Sequence, residues 1–270
     1  MKLIKFIIEL VNNVKNFNKF RPKTKEELRE LIEKELERQG VDANLNFIDT
    51  SQITDMSELF EGLNVRNIKI DKWDVSNVTN MCNMFRYAYE FNADLSNWNV
   101  SNVTNMYCMF YKANKFNSDL SKWDVSKVTN MAFMFSYASN FASDISQWDV
   151  SKVVDMHGMF YVAISFNSNL FNWNVSNVTD MSYMFYGTLK FNSDLSAWDV
   201  SNVMNVSHMF ENAIKFTSDL SKWNISNVTD MSYMFCGAIS FTSNFSKWDM
   251  SKVIDMRFAF YCCNCNYTFI

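Results

Sequence analysis

Tryptophan recurs at residues 73, 98, 123, 148, 173, 198, 223 and 248, an unbroken interval of 25. A fixed interval over that length marks stacked units, each too small to bury its own apolar face. It overrides the two-domain organisation that 270 residues would otherwise suggest. Other columns keep the same register. A leucine-like column runs Leu95, Leu120, Ile145, Leu170, Leu195, Leu220 and Phe245. Stepping by 25 extends it back to Leu45 and forward to Ile270. Each tryptophan is followed by Asp or Asn and then, two residues later, by Ser. A second Asx column runs from Asp55 and Asn80 through Asp255.

After that second Asx, apolar residues fall at Met81, Met84, Phe85 and Ala88. The spacing i, i+3, i+4, i+7 predicts a short helix, with the Asx as its N-cap. Around Leu120, from Asn117 to Trp123, the pattern predicts a short strand, with another near Trp123–Val125. One strand and one helix per unit predict an α/β, leucine-rich-repeat-like solenoid with a parallel sheet, right-handed by the crossover rule. The 48% hydrophobic content suffices for a core. One Pro and five Gly exclude collagen-like or linker architecture and argue against a glycine-punctuated β-barrel.

The first 40 residues differ. Thr24-Lys25-Glu26-Glu27 is a capping box, Leu28, Leu31, Ile32 and Leu36 trace a helical face, and Gly40 ends it. Met1–Phe17 predicts another amphipathic helix. The sequence therefore divides into an N-terminal helical cap, 1–40, and a solenoid of about nine coils, 41–270. The cap carries a net charge of +3 and the solenoid −7, together the chain's −4.

The units resemble the BspA-like surface-protein repeats, a 25–26-residue bacterial family related to leucine-rich repeats. The segment from Trp173 to Phe185 (WNVSNVTDMSYMF) and that from Phe116 to Trp123 (FNSDLSKW) carry the resemblance, over about 41–270. The stretch from Pro22 to Glu35 looks like the lead-in that precedes such arrays. The resemblance implies a solenoid found at bacterial cell surfaces, in adhesion or in binding host components. It transfers no functional residues, because family members share a scaffold rather than a chemistry.

No catalytic, cofactor or metal site is expected. His157 and His208 stand two coils apart, and read as surface histidines. The six cysteines include a single C-x-x-C spacing, Cys262 to Cys265, with no His or second cysteine pair nearby; they read as thiols, with Cys263 in a small-residue column as a buried alanine substitute. The tryptophans suit a core stack better than an exposed ladder. Asn replaces Asp too freely for calcium coordination. A solenoid of charge −7 offers no basic stripe for nucleic acid.

Function is expected where the repeats disagree. The slots between and after the Met columns hold Tyr107, Tyr111, Tyr137, Tyr161, Tyr183, Tyr186 and Tyr233, with Phe133 among them. Tyrosine suits interfaces because it offers area at little entropic cost. These residues are the candidate binding surface for a protein or other macromolecule. A second expectation is end-to-end self-association through Tyr267, Phe269 and Ile270, which end the sequence without a polar cap. Met1–Val11 is interrupted by Lys5 and Glu9, and no small-x-small site follows. It predicts no secretory signal, hence a bacterial cytoplasmic protein, whereas the resemblance implies the cell surface. No membrane insertion is expected, since no stretch is long enough to span.

Overall fold

The computed structural model describes residues 20–264. The helix expected over Met1–Phe17 lies outside the described residues, as do Tyr267, Phe269 and Ile270. The expected capping box forms in part, since the Glu27 carboxylate accepts from the Lys23 N–H rather than from the Thr24 N–H. It opens α1, Lys25–Gln39, where the Thr24 side chain accepts from the Glu27 N–H. Gly40, at φ +81°, closes the helix by donating its N–H to the Leu36 carbonyl. Leu28 and Ile32 are buried against the first coil. Arg29 donates to the carbonyls of Glu58 and Leu59 at 3.0 and 2.8 Å. Thus α1 covers both the apolar surface and part of the polar backbone at the solenoid's first end.

Among the described residues α1 is the sole α-helix. The short helices expected inside each repeat are absent. Their spacing arises from β-turns instead. Met84 donates its N–H to Met81, Arg86 to Asn83 and Ala88 to Phe85, at 3.1–3.2 Å. These are three-residue reaches, not the four-residue reach of an α-helix. Asn83 and Tyr87 sit at φ +57° and +60°, the third positions of turns 81–84 and 85–88. Both ends of each turn point inward, so Met81, Met84, Phe85 and Ala88 are buried with helical spacing but no helix. The remaining N–H groups, of Met81, Asn83, Phe85 and Tyr87, donate to Asn105, Tyr107, Met109 and Tyr111 on the next coil. This stretch is the hydrogen-bonded seam between coils.

The second Asx column has a related role. Rather than capping a helix, each Asx oxygen accepts the N–H two residues on, as Asn80 does from Cys82 and Asn130 from Ala132. Such Asx turns need only one acceptor oxygen, which explains why Asp and Asn interchange. The expected parallel strands are also reduced. Parallel pairing survives as isolated bridges, most of them along this column from Asp55↔Asn80 to Asp230↔Asp255.

At the leucine column, where a strand was expected, side chains replace the ladder. The Leu170 N–H donates to Ser193 Oγ on the next coil at 2.8 Å. Its carbonyl accepts from Trp198 Nε1 at 2.9 Å. The tryptophan bond repeats from Trp73 to Trp248. The serine bond repeats at Ser118, Ser143, Ser168, Ser218 and Ser243. Buried backbone groups must find partners, and here two recurring side-chain types supply them, beside the Trp173 N–H that also donates to the Leu170 carbonyl. Ala93 departs from the serine column. Ser193→Ala should orphan the buried Leu170 N–H and cost about 1–2 kcal/mol. A urea titration showing no loss would remove the serine from this role.

The core consists of aromatic stacks along the solenoid axis. Phe135 lies 5.5 Å from Phe110, 5.8 Å from Phe160 and 3.8 Å from Phe141 within its own coil. Trp123 and Trp148 are parallel within 4° at 6.4 Å, and both are buried. The tryptophans therefore form core, as their uniform spacing suggested.

A third Asx column makes exposed turns. The Asp144 carboxylate accepts from the Ser146 N–H, and this bond holds its pKa below the ordinary 3.8. A carboxylate depressed in the folded state stabilises above its unfolded pKa, and that stability is lost as pH falls through the folded value. Asp119, Asp194 and Asp219 share the direction and cause, and Asp94 shares the direction, with the Ser96 side chain ahead of the Ser96 N–H as its cause. Acid unfolding should therefore set in below about pH 4. Asn169 and Asn244 already occupy this column with the same bond and do not titrate. Asp144→Asn should then leave stability at pH 7 nearly unchanged and reduce the acid loss. An unchanged acid limb would show that these turns do not govern it.

Candidate functional site

The outward positions of the inter-coil seam carry the variable side chains. All seven candidate tyrosines are half-buried there, and ring contacts link them into one band. Tyr111 lies 6.0 Å from Tyr137, Tyr137 5.1 Å from Tyr161, and Tyr161 stacks on Tyr186 at 4.5 Å. Tyr183 joins this row through Tyr186 at 6.2 Å. Tyr107 joins through Phe133, which contacts both Tyr107 and Tyr111 at 6.4 Å.

The histidines belong to this band rather than to free surface. His208 is sandwiched between Tyr183 at 4.3 Å and Tyr233 at 4.7 Å, so it connects Tyr233 to the rest. Its Nδ1 faces the Glu211 carboxylate. His157 stands edge-on to Phe133 at 4.3 Å, with Nδ1 2.9 Å from Asp155. Both are half-buried, which corrects the expectation of exposed histidines. The hydrogen bond to Asp155 raises the His157 pKa above 6.5. The stabilisation from that pair is therefore present below 6.5 and lost as pH rises through the folded value.

Two cations at the band's N-terminal end were missed in the sequence. Arg86 lies 4.7 Å from the Tyr87 ring and pairs with Glu61 at 3.2 Å. Lys112 Nζ lies 5.3–5.5 Å from the rings of Tyr87, Tyr111 and Tyr137. Cation–π attraction favours such placement. Only the run of long side chains in neighbouring columns could have signalled it. Much ring area in the band is spent on neighbouring rings. Burial pushes the Tyr161 hydroxyl above its ordinary pKa, reinforced by Tyr137.

Among the described residues no three His, Cys, Asp or Glu side chains converge as a metal site. Cys82, Cys108, Cys236 and Cys262 are free. Burial pushes the Cys108 thiol to about 11, so it stays protonated at neutral pH. Cys263 differs from the buried thiol expected: it is half-buried and disulfide-bonded. No helix among the described residues is long and apolar enough to cross a membrane.

Stacked coils, a shared hydrogen-bonded seam and a capping helix define a repeat solenoid. The chain belongs to the family described as Mycoplasma protein of unknown function, DUF285, whose model matches residues 28–141, 115–212 and 168–268. Curated proteins offer no match. Among solved structures, one described as a crystal structure of a TLR13–ssRNA13 complex is similar, with 11% identity and a TM-score of 0.34. The match covers 88% of this chain and 40% of that one, so the chain spans well under half the length of that protein.

Proposed function

We propose that this chain is a BspA-like, right-handed, leucine-rich-repeat-related solenoid acting as a non-catalytic binding scaffold for a protein partner, in adhesion. The observation that carries this reading is the continuous Tyr/His band. Its members vary between coils while the buried columns beside them hardly change. Variation at one outward face of a constant scaffold is how solenoids generate distinct binding surfaces. The raised thiol pKa values and the dispersed histidines fit a scaffold without chemistry. The full chain, immobilised and exposed to host and bacterial extracts, should retain a specific partner. The double variant Tyr161→Ser/Tyr186→Ser should lose it. Serine is accommodated in that column, since Ser136 already occupies it, fully buried with its Oγ unpaired. Retention of nothing specific overturns the reading.

Self-association through the C-terminal end is a second reading. It is supported by exposed apolar side chains in the last described coil: Ile254 at 88%, Phe258 at 53% and Tyr261 at 59%. Light scattering across a concentration series should show growth in mass. A constant monomer sinks it.

A further inference from the structure

The β-turn between the Ala88 and Phe91 columns has two central residues at its tip. In four successive coils the first of these is aliphatic: Ile164, Leu189, Ile214 and Ile239. The turns are closed by N–H bonds from Phe166, Phe191, Phe216 and Phe241 to the residues three before them. Ile164, Leu189 and Ile239 are 37%, 41% and 56% exposed, and Ile214 is half-buried. Turn tips ordinarily carry polar residues. The fold does not require aliphatic ones, because Asn114 and Ser139 occupy the same position in earlier coils. An aliphatic row, exposed at three of its four tips, is thus a property of these four coils and not of the scaffold. The second tip residue is an exposed lysine in the middle two coils, Lys190 and Lys215.

We propose that this row, with Lys190 and Lys215, is the docking strip for an acidic amphipathic helix of a partner protein. The proposal rests on the scaffold reading and names the partner's chemistry. Coils about 4.8 Å apart place the first and last tips about 14 Å apart. A helix with apolar residues at i, i+3, i+7 and i+10 repeats them over about 15 Å. One face of such a helix therefore meets all four tips, as in helix recognition by apolar anchors. The lysines call for carboxylates flanking that face. A lipid surface fits less well. Asp194 and Asp219, exposed four residues beyond the lysines, would repel an anionic plane.

The test uses the full chain and a labelled synthetic helix with leucines at those four positions and flanking glutamates, read by fluorescence anisotropy. Saturable binding is expected. Leu189→Asn/Ile214→Asn should weaken it at least about tenfold, with the fold kept because Asn114 occupies that turn position. Lys190→Glu/Lys215→Glu should weaken it similarly, and a lysine-flanked peptide should bind worse than the acidic one. Absence of saturable binding, or binding indifferent to both double variants, overturns the proposal. Binding lost only in Tyr161→Ser/Tyr186→Ser overturns the strip while leaving the scaffold reading intact. Co-sedimentation with phosphatidylserine vesicles that disappears in Leu189→Asn/Ile214→Asn reassigns the row to a lipid surface and overturns the helix partner.

Discussion

Trp148→Ala should destabilise the solenoid by about 3–5 kcal/mol in a denaturant titration. Two effects act together. The indole is 4% exposed and lies parallel to Trp123, so its removal leaves a cavity in the aromatic stack. Its Nε1 also donates to the Leu120 carbonyl at 3.0 Å. That carbonyl also accepts from the Trp123 N–H at 3.1 Å, so losing the indole removes one of its two hydrogen bonds rather than orphaning it. Trp148→Phe separates the two. It keeps most of the ring but not the donor, so about 0.5–1.5 kcal/mol should remain from the lost bond. Because each coil touches only its neighbours, a lesion in a central coil should also broaden the transition. Indifference to both substitutions would mean that the tryptophans are not structural.

The same residues show what was legible in the sequence. Recurring columns of Trp, Leu, Met and Phe disclosed the register and the core, because side chains that stack on copies of themselves tolerate little variation. Local backbone conformation was less legible. Met81, Met84, Phe85 and Ala88 have helical spacing, yet two β-turns placed end to end produce the same inward pattern. The glycines held the corrective signal. Gly158 stands in the Asn83 column, and Gly62, Gly187 and Gly237 stand in the Tyr87 column, all at positive φ. Four of the five glycines thus fall in two columns of the supposed helix. Glycine is costly inside a helix and natural at the third position of such a turn. The strand at the leucine column was misplaced for a different reason. Its backbone groups bond to Ser and Trp side chains, a long-range pairing at offsets of 23 and 28 residues that no local pattern reveals. The tyrosines were identified individually, but their union into one band depends on Phe133 and His208, which are not tyrosines.

Gly158→Ala tests the turn geometry directly, and should cost about 2–4 kcal/mol. Gly158 lies at φ +58°, where an L side chain costs about 1–2 kcal/mol. A Cβ built there would come 2.2 Å from Cε1 of Phe133 and 2.3 Å from Cδ1. The ring must shift, and forced repacking adds about 1–3 kcal/mol. Gly62 provides the control. It has a similar φ of +67°, but a Cβ there meets nothing within 4 Å. Gly62→Ala should therefore show only the backbone cost, about 1–2 kcal/mol. A double-mutant cycle isolates the steric part. In Gly158→Ala/Phe133→Ala the clash is gone, so the combined loss should fall short of the sum of the single losses by about 1 kcal/mol or more. Additive losses, or equal losses at positions 62 and 158, would show that the Phe133 ring does not rest on the Gly158 backbone. A helix at 156–163 would predict the opposite sign at position 158, because alanine is the better helix former.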